Sequence, residues 1–136
     1  MRIEIPMLPP VALGPNASRK MHWGARLRIK HTWQNAAYYE MLPYRDKALK
    51  KATMSVTCVI PDKRHEMDTD NVLAILKPII DMLKPEQHNS KHPERKEPRL
   101  AVIVDDNPDV LTINKPVWIV DKARAPLTII QIEAQS

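Results

Sequence analysis

Residues 53–83 read TMSVTCVIPDKRHEMDTDNVLAILKPIIDML, and the two halves of this stretch have different periods. In residues 53–61 the β-branched Thr53, Val56, Thr57, Val59 and Ile60 surround Cys58 and stop at Pro61, the pattern of a strand. Residues 62–69 are charged and polar, a loop. From Asn71 to Leu83 apolar residues fill most of a helical circumference, which predicts a largely buried helix with Asp70 as its cap. Pro78 lies inside that stretch and removes a backbone donor, which predicts a kink or two half-helices.

Upstream, residues 2–8 set Arg2 and Glu4 against Ile3 and Ile5, an opening strand ended by Pro9-Pro10. Residues 25–42 contain neither Pro nor Gly and space Ile29, Trp33, Ala36/Ala37 and Glu40/Met41 helically; Pro43 ends or kinks this helix. Residues 44–51 read as a second helical piece. Downstream, residues 84–99 (KPEQHNSKHPERKEPR) form a long loop, proline-broken and too polar to pack. Residues 100–104 read as a short apolar strand running into Asp105-Asp106. Residues 110–120 and 127–133 supply two more strands, separated by the basic loop 121–126. The order β, α, β, α, β, β, β predicts a single α/β domain over residues 1–136. Its mixed β-sheet has about five strands, with two main helices on at least one face.

A chain of 136 residues, 43% hydrophobic, buries enough for one core without staples. A single cysteine, Cys58, excludes an internal disulfide and a four-cysteine zinc site, and suits a reducing cytoplasm. The first ten residues lack a secretory apolar region, and no apolar run is long enough to span a membrane. Two glycines leave no room for a P-loop or a Gly-x-Gly-x-x-Gly turn. The net charge of +5 is unevenly spread: residues 1–51 carry 10 Lys/Arg against 3 Asp/Glu, and the remainder 11 against 13. Such a split fits a surface that attracts phosphate beside one that holds cations.

The chemistry concentrates in Asp68, Asp70, Asn71, Lys77 and Asp81, followed by Asp105-Asp106. In extended backbone Asp68 and Asp70 point to the same side. At about 100° per residue, Ala74, Lys77 and Asp81 all fall within about 40° of the face of Asp70. Asp105-Asp106 closes the cluster if residues 100–104 lie beside residues 53–61. Crowded carboxylates repel unless a cation neutralises them. Hard oxygen ligands favour Mg2+ or Mn2+, and carboxylate-held metal beside a basic surface suits phosphodiester hydrolysis, with a lysine on the oxyanion. A plainer reading is also open: a helix cap, a solvated helix face and a turn. Asp68-Thr69-Asp70 begins like a calcium loop, but Leu73 and Ile79 replace the required glycine and glutamate. His88 and His92 are four apart in a proline-rich loop without a companion ligand.

At these residues the chain resembles the RusA family of Holliday-junction resolvases, in its phage-type branch. The matching features are Cys58-Val59-Ile60-Pro61-Asp62, Lys63-Arg64, Asp68-Thr69-Asp70-Asn71, the helix carrying Lys77 and Asp81-Met82-Leu83, Val104-Asp105-Asp106 and Lys115-Pro116-Val117. Pro9-Pro10, Asn16 and His22-Trp23 ahead of an arginine-rich helix resemble the opening segment, so the resemblance covers nearly the whole chain. It implies a small Mg2+-dependent homodimer, with Mn2+ as a substitute. Such an enzyme cuts four-way DNA junctions by paired nicks in a bacterial or phage-infected cytoplasm. On this resemblance Asp68, Asp70 and Asp106 are the expected metal ligands and Asp105 a substitute ligand or a neighbour behind them. Asn71 and Asp81 support the cluster, and Lys77 is the expected catalytic cation. Arg26, Arg28, Lys30, Lys63 and Arg64 are expected to contact DNA.

Two departures stand out. The better-known members carry a lysine where this chain has Ala74, whereas Lys77 matches the spacing of some phage-type relatives. Residues 84–99 replace what is usually a short turn. Both keep a second expectation in view, a catalytically weak or inactive DNA-binding relative.

Overall fold

A computed structural model describes residues 1–15, 21–86 and 98–135. The elements are β1 (Arg2–Ile5), α1 (Trp23–Met41), β2 (Ala52–Ile60), α2 (Thr69–Leu83), β3 (Leu111–Ile113), β4 (Val117–Val120) and β5 (Leu127–Ala134). Strand β2 is central. On one edge it runs antiparallel to β5, with Thr57 opposite Ile129, and β5 pairs antiparallel with β1, with Ile3 opposite Ile130. On the other edge β2 runs parallel to β3 and then β4, with Ala52 opposite Leu111 and Thr57 opposite Val117. The result is a mixed five-stranded sheet with two main helices in one α/β domain, as the element order predicts.

The period-2 pattern of β2 turns Ala52, Met54, Val56, Cys58 and Ile60 inward, where Ile3, Ile5, Ile130 and Ile132 join them. Helix α1 buries Trp33, Ala37 and Met41, one stripe at four-residue spacing. Helix α2 buries Val72, Ile75, Leu76, Ile79, Ile80, Met82 and Leu83. The helices are tied to each other by two bonds between side chain and backbone. Trp33 Nε1 donates to the Ile75 carbonyl at 3.0 Å, and the Gln34 amide donates to the Pro78 carbonyl at 3.0 Å.

Five local expectations need correction. Helix α2 starts at Thr69, so Asp68 occupies the cap position and Asp70 lies inside the first turn. Two half-helices do not form: α2 runs through Pro78 as one helix of 15 residues, with apolar burial on both sides of the proline. Beyond a 3-10 turn over Leu42–Tyr44, the expected second helical piece is absent: Asp46 and Ala48 adopt φ of 63° and 47°, left-handed values that no right-handed helix accommodates. The expected strand 110–120 splits into β3 and β4 around residues 114–116, where Pro116 has no N–H for the ladder.

Residues 100–104 form no strand, only one parallel bridge between Leu49 and Ile103. They are stitched instead to the open carbonyls at the end of α2. Leu100 N–H donates to Met82 O at 2.8 Å and Val102 N–H to Leu83 O at 2.8 Å. On the other side they accept from Asp46 and Leu49, at 2.8 and 2.9 Å. This segment therefore delivers Asp105-Asp106 alongside the last turns of α2, although it is not a neighbour of β2.

Candidate functional site

Helix α1 presents Trp23, Arg26, Leu27 and Lys30, at steps of three, four and seven residues. Helix α2 presents Ala74, Lys77, Pro78 and Asp81 at the same steps. Equal spacing puts each set on one helical face. Together with Leu13, the two faces line a cleft of about 450 Å³ with both apolar and charged side chains. Trp23 stands at its mouth, 73% exposed. The start of α1 is held by His22, whose Nδ1 accepts from Gly24 N–H at 3.1 Å while its ring stacks beside Trp23.

The α2 side of the cleft leads to a four-charge cluster. Lys77 Nζ lies 2.6 Å from Asp106 Oδ2 and 3.1 Å from Asp81 Oδ1. Lys84 Nζ lies 3.6 Å from Asp81 and 3.6 Å from Asp106. Two ammoniums and two carboxylates thus alternate, with no net charge. Its hydrogen bond to Asp106, followed by its contacts with Asp81, raises the Lys77 pKa above the usual lysine value. The same bond, reinforced by the field of Lys84, holds the Asp106 carboxyl below the usual carboxylate range. The loop carrying Asp106 is fixed by its neighbours: Asp105 Oδ1 accepts from Asp106 N–H at 2.7 Å, and Asn107 Nδ2 donates to Asp105 Oδ2 at 2.9 Å. Arg99 Nη1 donates to the Asp81 carbonyl at 2.5 Å.

Of the residues singled out in the sequence, Lys77, Asp81 and Asp106 come together. Asp68 and Asp70 do not share a direction as extended backbone would require, because the helix begins between them. Asp68 and Asn71 line a separate cleft of about 360 Å³ with Glu66, Met67 and Ile75. Asp70 is exposed at the head of the stripe that continues to Ala74, Lys77 and Asp81. Asp105 is engaged within its own loop. These carboxylates are the right kind of donor for Mg2+, but the arrangement is not a cage. Asp106 sits on two lysines, and among the described residues no three His, Cys, Asp or Glu side chains are placed to hold a metal ion.

Among the cations, Arg26 and Lys30 line the cleft between the helices, whereas Arg28 is turned about 200° around α1 from Arg26. Lys63 is exposed. Arg64 is spent locally, with two bonds to Asp62 at 3.2 and 3.1 Å. The Arg64 hydrogen bond is the main cause that lowers the Asp62 pKa to about 2. Asn16, matched to the opening segment, and the pair His88 and His92 lie outside the described residues.

Four residues had no role at this site in the sequence reading. Lys84 and Arg99 were counted with the polar loop, yet the Lys84 side chain is only 14% exposed. The signal was there: Lys84 falls three residues after Asp81 and seven after Lys77. Trp23 and Leu27 complete a stripe with Arg26 and Lys30 that spacing alone reveals.

Among the described residues no helix is long and apolar enough to cross a membrane. Comparison with protein-family models, with curated proteins and with solved structures found no match to this chain.

Proposed function

We propose that this chain is a structure-selective endodeoxyribonuclease of the RusA type, which acts as a homodimer on Holliday junctions or related branched DNA. One observation carries the reading: Lys77 and Asp106, 29 residues apart, meet at 2.6 Å beside a cleft rimmed by Arg26 and Lys30. A phosphodiester entering that cleft meets cations on both helices. Arg26 and Lys30 bind backbone phosphate, which gives an affinity that falls with salt. Lys77, oriented by Asp81 and Asp106, is the cation aimed at the negative charge that builds up on an attacked phosphate. A symmetric junction suits two copies of one chain related by a two-fold axis.

Mg2+, or Mn2+ in its place, is the cofactor the resemblance implies. The ligand set it names does not converge here, which supports a second reading, a catalytically weak or inactive DNA-binding relative. Labelled four-way junction, duplex and single strand, each with and without Mg2+, separate the two. The nuclease reading expects Mg2+-dependent junction cutting, abolished by Asp70→Asn with junction binding intact or tighter. Binding without cutting by the unaltered chain would leave the second reading; loss of binding with cutting retained in Asp70→Asn would sink the site assignment.

A further inference from the structure

We propose that the outer edge of β4 binds a second copy of this chain, the two β4 strands pairing antiparallel about Trp118 so that their sheets join into one. The inference takes the homodimer from the proposed function, on which it rests, and adds the surface that forms it.

Three observations converge. First, the backbone of β4 is open on one side. Val117 lies opposite Thr57 and Ile119 opposite Val59, and Asp121 N–H donates to Ile60 O at 2.9 Å. Backbone groups alternate between the two edges of a strand, so Val117 and Ile119 also bond to β2, whereas Trp118 and Val120 turn their N–H and C=O away from it. Among the described residues no strand pairs with that outer edge.

Second, the side chains there are apolar. Trp118 packs against the core, but Val117, Ile119 and Val120 are 54%, 44% and 45% exposed. The opposite edge of the sheet differs: β1 carries Arg2 and Glu4, exposed and paired at 2.9 Å, and charge of this kind keeps an edge from pairing. Strand β4 has neither a charged residue nor a proline.

Third, the sequence around β4 complements itself in one register. With Trp118 opposite Trp118 of the second copy, each donates its N–H to the other's carbonyl, and Val117 meets Ile119 of the second copy on the face away from the indoles. The same register sets Lys115 opposite Asp121 of the second copy. Lys115 is exposed, and Asp121 uses Oδ1 locally, accepting from Ala123 N–H at 2.9 Å. Val120 N–H reaches the carbonyl of Pro116 of the second copy, and the missing N–H of Pro116 ends the ladder there. A slip of two residues sets either Val117 against Asp121 or Lys115 against Ile119, and both slips lose the charge pair.

The test uses the whole chain. Sedimentation velocity over a concentration series is expected to show a reversible dimer. Ile119→Asp should raise its dissociation constant about tenfold or more, because it sets a carboxylate against Val117 of the second copy. Val120→Pro should weaken the dimer too, by removing an N–H that faces away from β2. Both positions are exposed, and circular dichroism confirms that each variant folds. The register is read by oxidative cross-linking: Val117→Cys mixed with Ile119→Cys should give a disulfide-linked dimer, and neither protein alone should match it. Cys58 is buried, and the unaltered chain gives the background. A monomer at every concentration, a dimer indifferent to both substitutions, or cross-linking of Val117→Cys alone as strong as in the mixture overturns the proposal. Junction cutting, assayed on the same proteins, keeps the two readings apart. A dimer through β4 that does not cut removes the nuclease reading alone, and cutting by a dimer that both substitutions leave intact removes the edge inference alone.

Discussion

The Lys77–Asp106 contact sets up a double-mutant cycle with a stated size and pH range. At 2.6 Å it is a charge-assisted hydrogen bond, a type that contributes about 1.5–3 kcal/mol when well shielded. Exposed ion pairs contribute only about 0.2–1 kcal/mol. The side chains here are 55% exposed at Lys77 and 20% at Asp106, between those limits and nearer the exposed one. A coupling of about 1 kcal/mol between Lys77→Met and Asp106→Asn is therefore expected, and loss of the pair should lower Tm by roughly 3–5 °C in a domain of this size.

The two pKa shifts fix the pH dependence. Asp106 is lowered from 3.8, so its contribution is complete above that value and disappears as the pH falls through its lower, folded value. Lys77 is raised from 10.5, so its contribution is complete below that value and disappears as the pH rises through its higher, folded value. Urea unfolding of the four proteins at pH 7 should show the coupling in full. Repetition in acid, well below the ordinary carboxylate range, should show it shrinking. A coupling under about 0.3 kcal/mol at pH 7, or one unchanged in acid, would refute the ion-pair account.

Two further predictions follow from the core. Trp33→Phe should cost about 2 kcal/mol in urea unfolding, because it removes the bond to Ile75 O and leaves a gap between α1 and α2; a cost below about 0.5 kcal/mol would mean that the two helices are held together elsewhere. Burial pushes the Cys58 thiol up to about 11, against a smaller opposing effect of its hydrogen bond with Thr128. Iodoacetamide at pH 8 should therefore leave the native protein unmodified and alkylate it in urea, as mass spectrometry would show; native labelling at the unfolded rate would contradict the burial.

Legibility in the sequence followed periodicity. Strand β2 and helix α2 were readable because their apolar residues repeat at 2 and 3.6, and each stretch is long enough for the repeat to show. Residues 100–104 were misread because five apolar residues in a row suit any buried extended chain. Their partners are helix-end carbonyls and the turn at Asp46–Leu49, which no local pattern announces. The turn itself was hidden because Asp46 and Ala48 take left-handed backbone without a glycine to mark it. At the site, the Lys77–Asp81 spacing was legible as a helical pair. Lys84 and Arg99 were not, because in a segment charged at most positions composition cannot tell a solvated lysine from one packed against two carboxylates.

Lys77 cannot fully serve two partners, and that conflict is what separates the two functional readings. While it balances Asp106 and Asp81, the cluster is electrically closed and contributes little to attracting a phosphate. On the nuclease reading, the field that would draw DNA then comes from the basic half of the chain, residues 1–51, to which Arg26 on the α1 side of the cleft belongs. An anion that enters the cleft competes with Asp106 for Lys77, and a cation taken up by Asp106 competes with Lys77 for the carboxylate. Reciprocity then requires that DNA and a divalent cation, if both bind here, each raise the other's affinity by the same factor. Junction titrated at fixed Mg2+, and Mg2+ at fixed junction, measure that factor twice, with ionic strength matched by NaCl. Equal factors well above one support the nuclease reading. Factors of one leave Lys77 locked on Asp106 and favour a protein that binds branched DNA without cutting it.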